Sequence, residues 1–222
     1  MICWRVNSAC TVTFASMQTY AIYALGFFAQ GLFGMRILIQ WFYSEREGRV
    51  VSPSLFWVFS LLGSFLFLIY GWLRSDLVIL IGQTLSFYIY IRNLQLKNVW
   101  SRVPTIVQLA IFLLPMAVWL VVFTTEGTWA KIIDRNVWTD AFLLIGALGQ
   151  ILLNLRYLYQ WYYSEKASES LLPLGFWIIS AIASVMVIVY GFYRNDPVLL
   201  LAQSMGFFAY LRNIWLSVKI KG

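Results

Sequence analysis

Two arginines, Arg36 and Arg156, stand in apolar stretches, and each is followed four residues later by a glutamine, Gln40 and Gln160. A guanidinium presents a fixed fork of donors that suits phosphate and carboxylate oxygens. An ionisable group inside an apolar helix is expensive, so it faces the bundle interior and marks a functional path. Arg36, Gln40, Tyr43 and Ser44 fall at i, i+4, i+7 and i+8, one polar stripe on a helix. Arg36 is about 12 Å from Ser44 along a helix, so snorkelling to the surface is the plain alternative.

The same spacing marks two further segments. Trp57, Ser60 and Ser64 recur at three and four residues with Gly63 alongside, where small residues favour close helix packing. Gln83, Phe87, Tyr90 and Asn93 form a stripe that lines a cavity or bonds a neighbouring helix. Aromatic faces beside arginine forks suit sugars and phosphates together. The candidate binding residues are therefore Arg36, Gln40, Trp57, Gln83, Tyr90 and Asn93, with Arg156, Gln160, Trp177, Gln203, Tyr210 and Asn213 120 residues later. Tyr70, Arg74 and Asp76, with Tyr190, Arg194 and Asp196, form a candidate rim or gate at the opposite end of the same helices.

Catalysis has little to work with. The chain has no histidine and two cysteines, Cys3 and Cys10, and its carboxylates stand at segment boundaries. No nucleophile-base pair, metal cluster or glycine-rich phosphate loop is present, so no catalytic residue, metal or cofactor is expected. Glu45 and Glu165 read as helix-end ion pairs with a nearby Arg or Lys rather than as bases. Asp76 and Asp196 read as N-caps.

These residues need helices in a bilayer to hold them. Of 222 residues, 61% are hydrophobic and 11% charged. Apolar stretches long enough to span a membrane, at 18–43, 54–73, 77–96, 103–124, 138–162, 174–193 and 197–218, predict seven transmembrane helices. The formal net charge of +7 sits in short loops, so it reads as a topology signal and not as a nucleic-acid surface. Arg46, Arg49, Lys97, Arg102, Lys166, Lys219 and Lys221 on one side against Arg5, Arg74, Lys131, Arg135 and Arg194 place the N-terminus outside and the C-terminus in the cytoplasm. Segment 1–17 lacks the form of a cleaved signal peptide.

Sliding the chain by 120 residues aligns 30–97 with 150–217 without a gap, with 26 of 68 positions identical. The identities include polar pairs such as Ser44/Ser164, Glu45/Glu165, Arg92/Arg212 and Asn93/Asn213, which shared hydrophobicity does not explain. The expected fold is an all-α membrane protein of seven helices in a 3+1+3 parallel duplication. Its parts are an N-terminal segment 1–17, a three-helix repeat 18–98, a linker helix with outer loop 99–137, and a second repeat 138–219. Pro53, Pro173 and Pro197 mark helix starts, and Pro115 falls inside the linker helix. Gly63 and Gly82, replaced by Ala183 and Ala202, imply closer packing in the first repeat.

The run R-x-x-x-Q-W-x-x-S-E, P-x-x-F-W-x-x-S, Y-G-x-x-R-x-D-x-V-x-x-x-x-Q and Y-x-R-N, spanning Arg36 to Asn93 and again Arg156 to Asn213, resembles the lipid A biosynthesis N-terminal domain family. In that family the three-helix unit occurs alone, in tandem, or ahead of a lipid-A-disaccharide synthase or another glycosyltransferase domain. The resemblance implies an inner-membrane protein of Gram-negative bacteria concerned with lipid A or another envelope glycolipid. The duplication is also similar in architecture to SWEET and PQ-loop transporters, although Ile39 and Tyr159 stand where the PQ-loop proline would be.

Three functions follow as expectations. The first is binding or translocating a lipid A precursor or polyprenyl-phosphate-linked sugar between the repeats. The second is a non-catalytic scaffold for a glycosyltransferase, and the third a small-sugar transporter of the SWEET kind. Seven spans leave no room for a nucleotide-binding transferase fold within these residues. Pairing of two chains as a homo-oligomer is left open.

Overall fold

The computed structural model describes residues 3–74, 77–125, 141–193, 195 and 197–219, with the backbone alone for 3–19, 77, 78, 143, 197–199 and 202. Seven α-helices occur among them: α1 (Cys3–Glu47), α2 (Ser54–Leu73), α3 (Leu77–Leu96), α4 (Thr105–Thr124), α5 (Ala141–Ala167), α6 (Leu174–Tyr193) and α7 (Pro197–Lys219). Four stretches, Tyr20–Glu47, Ser54–Leu73, Thr105–Thr124 and Leu174–Tyr193, are long and apolar enough to cross a membrane. Helices α3, α5 and α7 carry more polar residues, of which Asn93, Arg156, Gln160 and Asn213 are buried in the interior. The exterior is apolar, with Phe28, Leu120 and Phe208 among its exposed side chains, which suits association with lipid.

Helix ends follow local chemistry. Gly48 closes α1 with φ +65°, the left-handed conformation that glycine adopts without strain. Ser168 takes the same conformation, φ 52°, after α5. Pro53 precedes α2 at φ −64° and Pro197 opens α7, as proline's fixed φ favours. Pro115 lies buried inside α4. Helix α1 begins at Cys3, so it runs through most of the segment expected at 1–17. The loop expected around 125–137 falls almost wholly outside the described residues.

Within the first unit α2 packs on both α1 and α3; within the second α6 packs on both α5 and α7. The units meet along α3 with α5 and along α1 with α7. The six helices therefore close a ring in chain order, with α4 outside it against α2 and α3. Aromatic residues from both units form the main core, including Phe56, Trp57, Tyr90, Tyr157, Trp177 and Tyr210.

Small residues set how closely the helices approach. A Cβ on Gly63 would stand 2.8 Å from Phe33 and 3.4 Å from the Ala29 carbonyl. In the second unit the sizes are exchanged: Gly149 faces the Ala183 carbonyl at 3.2 Å. The first unit is thus not the closer-packed one at this contact, because each unit pairs one glycine with one alanine and only their sides differ. Gly82 acts between the units, since a Cβ there would overlap the amide of Asn154.

Candidate functional site

Two polar layers occupy the ring, and helix periodicity stacks one on the other. Along α1, Arg36 belongs to the deeper layer and Gln40, one turn on, to the layer nearer the α1–α2 loop, about 6 Å away. Tyr90 and Asn93 on α3 repeat the step, as do Arg156 and Gln160 on α5 and Tyr210 and Asn213 on α7.

The outer layer is closed by bonds that cross between units. Gln40 Nε2 donates to Asn213 Oδ1 at 2.7 Å, and Asn213 Nδ2 donates back to Gln40 Oε1 at 3.1 Å. Gln160 and Asn93 do the same at 2.8 Å and 3.1 Å. The second amide hydrogens serve the neighbouring serines, Ser44 at 2.8 Å and Ser164 at 2.7 Å. These serines in turn accept from the loop backbone at Val51 and Leu171. Ser52 Oγ donates to the Ser170 carbonyl at 2.6 Å, so the two loops also touch.

At the outer edge Arg212 grips Glu45 through Nε and Nη2, and Arg92 grips Glu165 likewise. Trp41 and Trp161 each donate an indole hydrogen to the same carboxylates. Glu45 and Glu165 are therefore paired with arginine, as their place at helix ends implied, and the partner belongs to the other unit. Nearby Lys97, past the end of α3, has its ammonium pushed below the usual value by burial, with the Glu169 charge acting the other way.

The deeper layer is not closed by such bonds. Arg36 Nη1 donates to Ser60 Oγ at 3.0 Å and Tyr90 Oη at 3.1 Å. Arg156 Nη1 donates to Ser180 Oγ at 2.9 Å. Each arginine is 5% exposed, yet both Nε groups, and the indole Nε1 groups of Trp57 and Trp177, are buried with no hydrogen-bond partner among the described residues. Rings supply much of the surroundings: Arg36 lies over Phe33, Phe56, Tyr90 and Tyr157, and Arg156 over Tyr157, Phe176 and Tyr210. Neither arginine meets a carboxylate among the described residues.

The expected residues are therefore gathered into two groups. Arg36, Trp57, Tyr90, Arg156, Trp177 and Tyr210 line the deeper layer, while Gln40, Asn93, Gln160 and Asn213 satisfy one another. Gln83 keeps a buried, unpartnered Oε1 about two turns from Tyr90, and Gln203 is half-buried. Of the rim, Tyr70 and Tyr190 lie against Gly26 and Gly146, and Arg74 stands 5.5 Å over the Tyr23 ring. Asp76, Arg194 and Asp196 lie outside the described residues.

Tyr157 is the residue that repeat matching passes over. Its ring meets Tyr90 edge-on at 5.0 Å, and its hydroxyl accepts from Arg156 Nη2 at 3.4 Å. Ile37 holds the corresponding position in the first repeat. A departure from the repeat beside a repeated arginine was the available signal.

No solved structure matches the chain. Among curated proteins it is similar to lipid-A-disaccharide synthase of Chlamydia pneumoniae, 29% identical over 213 residues, which is 90% of this chain and 34% of that protein. The synthases of Chlamydia muridarum and Chlamydia trachomatis are 29% and 27% identical, again over 90% of this chain and 35% of theirs. The chain thus spans about a third of the length of these relatives. The profile of the Lipid A Biosynthesis N-terminal domain matches residues 25–95 and again 145–215, so the chain belongs to that family and carries its domain twice.

Proposed function

We propose that this chain is a seven-span inner-membrane protein of lipid A or envelope glycolipid biosynthesis. Its two three-helix units, joined by α4 in a 3+1+3 duplication, hold the phosphorylated headgroup of a lipid A precursor or polyprenyl-phosphate-linked sugar between them. The N-terminus lies outside and the C-terminus in the cytoplasm, by the bias of basic residues toward the loops that follow α1, α3 and α5.

The observation that carries this reading is the pair of buried arginines without carboxylate partners among the described residues, in a layer that also holds indole donors that find no acceptor there. An uncompensated charge in a low-dielectric interior is costly, and an anion relieves it. The surrounding rings offer faces for the sugar. The amide pairs and Arg-Glu pairs clasp the units on the cytoplasmic side, so movement of the headgroup to that side requires the clasp to part.

The test is mass spectrometry of lipids that copurify with the protein, compared with the Arg36→Gln/Arg156→Gln variant. A phosphorylated glycolipid present in the first and absent from the second is expected; equal amounts in both overturn the reading.

A second reading is favoured by the relatives, in which a region like this chain makes up about a third of a protein named as a disaccharide synthase. In it the chain recruits a glycosyltransferase to the membrane without carrying lipid. Copurification of a stoichiometric transferase, undiminished in the double arginine variant, would support it over the first.

A further inference from the structure

Arg36 Cζ and Arg156 Cζ stand 5.6 Å and 4.9 Å from the centre of the same Tyr157 ring. The two cations therefore flank one aromatic ring within the core cluster that holds Phe56, Tyr90, Tyr157 and Tyr210. The described carboxylates are Glu45, Glu47, Glu165 and Glu169, and two of them are already bound to Arg212 and Arg92. What remains in this layer, among the described residues, is a surplus of two positive charges beside Tyr157 and four buried N–H donors without partners, the Nε of each arginine and the Nε1 of Trp57 and Trp177.

A singly charged group, such as a phosphodiester, neutralises one guanidinium and leaves the other buried and uncompensated. A phosphoryl group with two charges meets both, and its several oxygens accept without requiring a donor in return. The surroundings of the two arginines meet at the Tyr90 and Tyr157 rings, whose centroids are 5.0 Å apart. Tyr157 has Ile37 as its repeat partner, so the duplication does not produce two equal sites. Resting on the headgroup reading above, we propose that Arg36 and Arg156 together hold one dianionic phosphoryl group per chain, a phosphomonoester or a diphosphate, and so select such lipids over phosphodiester lipids; within that reading this favours a lipid A precursor bearing a phosphomonoester over a polyprenyl-monophosphate-linked sugar, itself a phosphodiester.

The test uses the full chain in nanodiscs and native mass spectrometry, with phosphatidic acid as the phosphomonoester probe and phosphatidylglycerol as the phosphodiester. At pH 8 one phosphatidic acid per chain is expected, retained at least tenfold over phosphatidylglycerol. At pH 5 that preference should collapse, because a phosphomonoester loses its second charge near pH 6 while guanidinium groups stay charged. Arg36→Gln or Arg156→Gln alone should remove the preference at pH 8 while leaving weak binding of both lipids. The pH series on the unaltered protein serves if a variant does not fold.

Excess glycerol 3-phosphate separates a lipid ligand from a free phosphate ester. Failure to displace phosphatidic acid supports a lipid, and equal displacement overturns the lipid assignment. Two lipids per chain, or a preference that ignores pH, would overturn the shared dianion site while leaving the headgroup reading intact. Binding of neither lipid class, with no glycolipid copurifying, would remove both.

Discussion

The two polar layers inside the ring are built from the same repeated signature, one helical turn apart, and differ in how their donors are satisfied. In the amide layer each glutamine and asparagine bonds a partner in the other unit. In the arginine layer four buried N–H groups find no partner among the described residues. A polar group that is fully paired specifies which helices lie together. One that is left unpaired in a folded interior weakens the fold and points to a ligand. Similar chemistry thus supports the fold at one depth and, on the reading proposed above, serves binding at the next.

Breaking a clasp should have the largest effect on stability. Gln160→Leu removes a partner of Asn93, Ser164 and the Leu171 carbonyl at once, and leaving buried groups unmet costs about 1–3 kcal/mol. A lower melting midpoint in detergent is expected, with Gln160→Leu/Asn93→Leu losing less than the sum of the single variants. Arg36→Gln should cost little or even raise the midpoint, because it removes an uncompensated buried charge. If Arg36→Gln were the more destabilising of the two, the distinction between layers would fail.

The interfaces between units offer the next contrast. Gly82→Ala drives a Cβ into Asn154, and overpacking of this kind costs about 1–3 kcal/mol. Gly34, the repeat partner of Asn154, has nothing within 4 Å of a built Cβ. Gly34→Ala should therefore be neutral or gain up to about 1 kcal/mol of helix propensity. Equal effects at both positions would mean that the α3–α5 and α1–α7 contacts are equally tight.

Smaller effects are expected at the edges. Ser168→Gly relieves a left-handed serine and should gain about 1 kcal/mol, whereas Gly48→Ser should lose a similar amount, both read from thermal melts. Glu45→Arg should weaken the clasp slightly and more at low salt, with Arg212→Glu restoring it in the double variant.

Helices α2 and α6 begin right after Pro53 and Pro173, where proline chemistry put them, and the Arg36 stripe points inward as its spacing implied, with Tyr90 as a partner that the spacing did not name. The start of α1 was not legible, because polar residues before position 18 end an apolar stretch without ending a helix. The cross-unit pairing was hidden for a different reason. Both repeats contain the same glutamine and asparagine, so spacing alone cannot say whether Gln40 meets Asn93 of its own unit or Asn213 of the other. Tyr157 escaped because repetition was the signal, and this residue departs from it.

The most direct test measures lipid occupancy and thermal midpoint together on the Arg36→Gln/Arg156→Gln variant. Loss of the copurifying phosphorylated glycolipid with an unchanged or higher lipid-free midpoint is the expected result. Retained glycolipid, or a midpoint that falls as far as that of Gln160→Leu, would contradict the assignment of the arginine layer to binding.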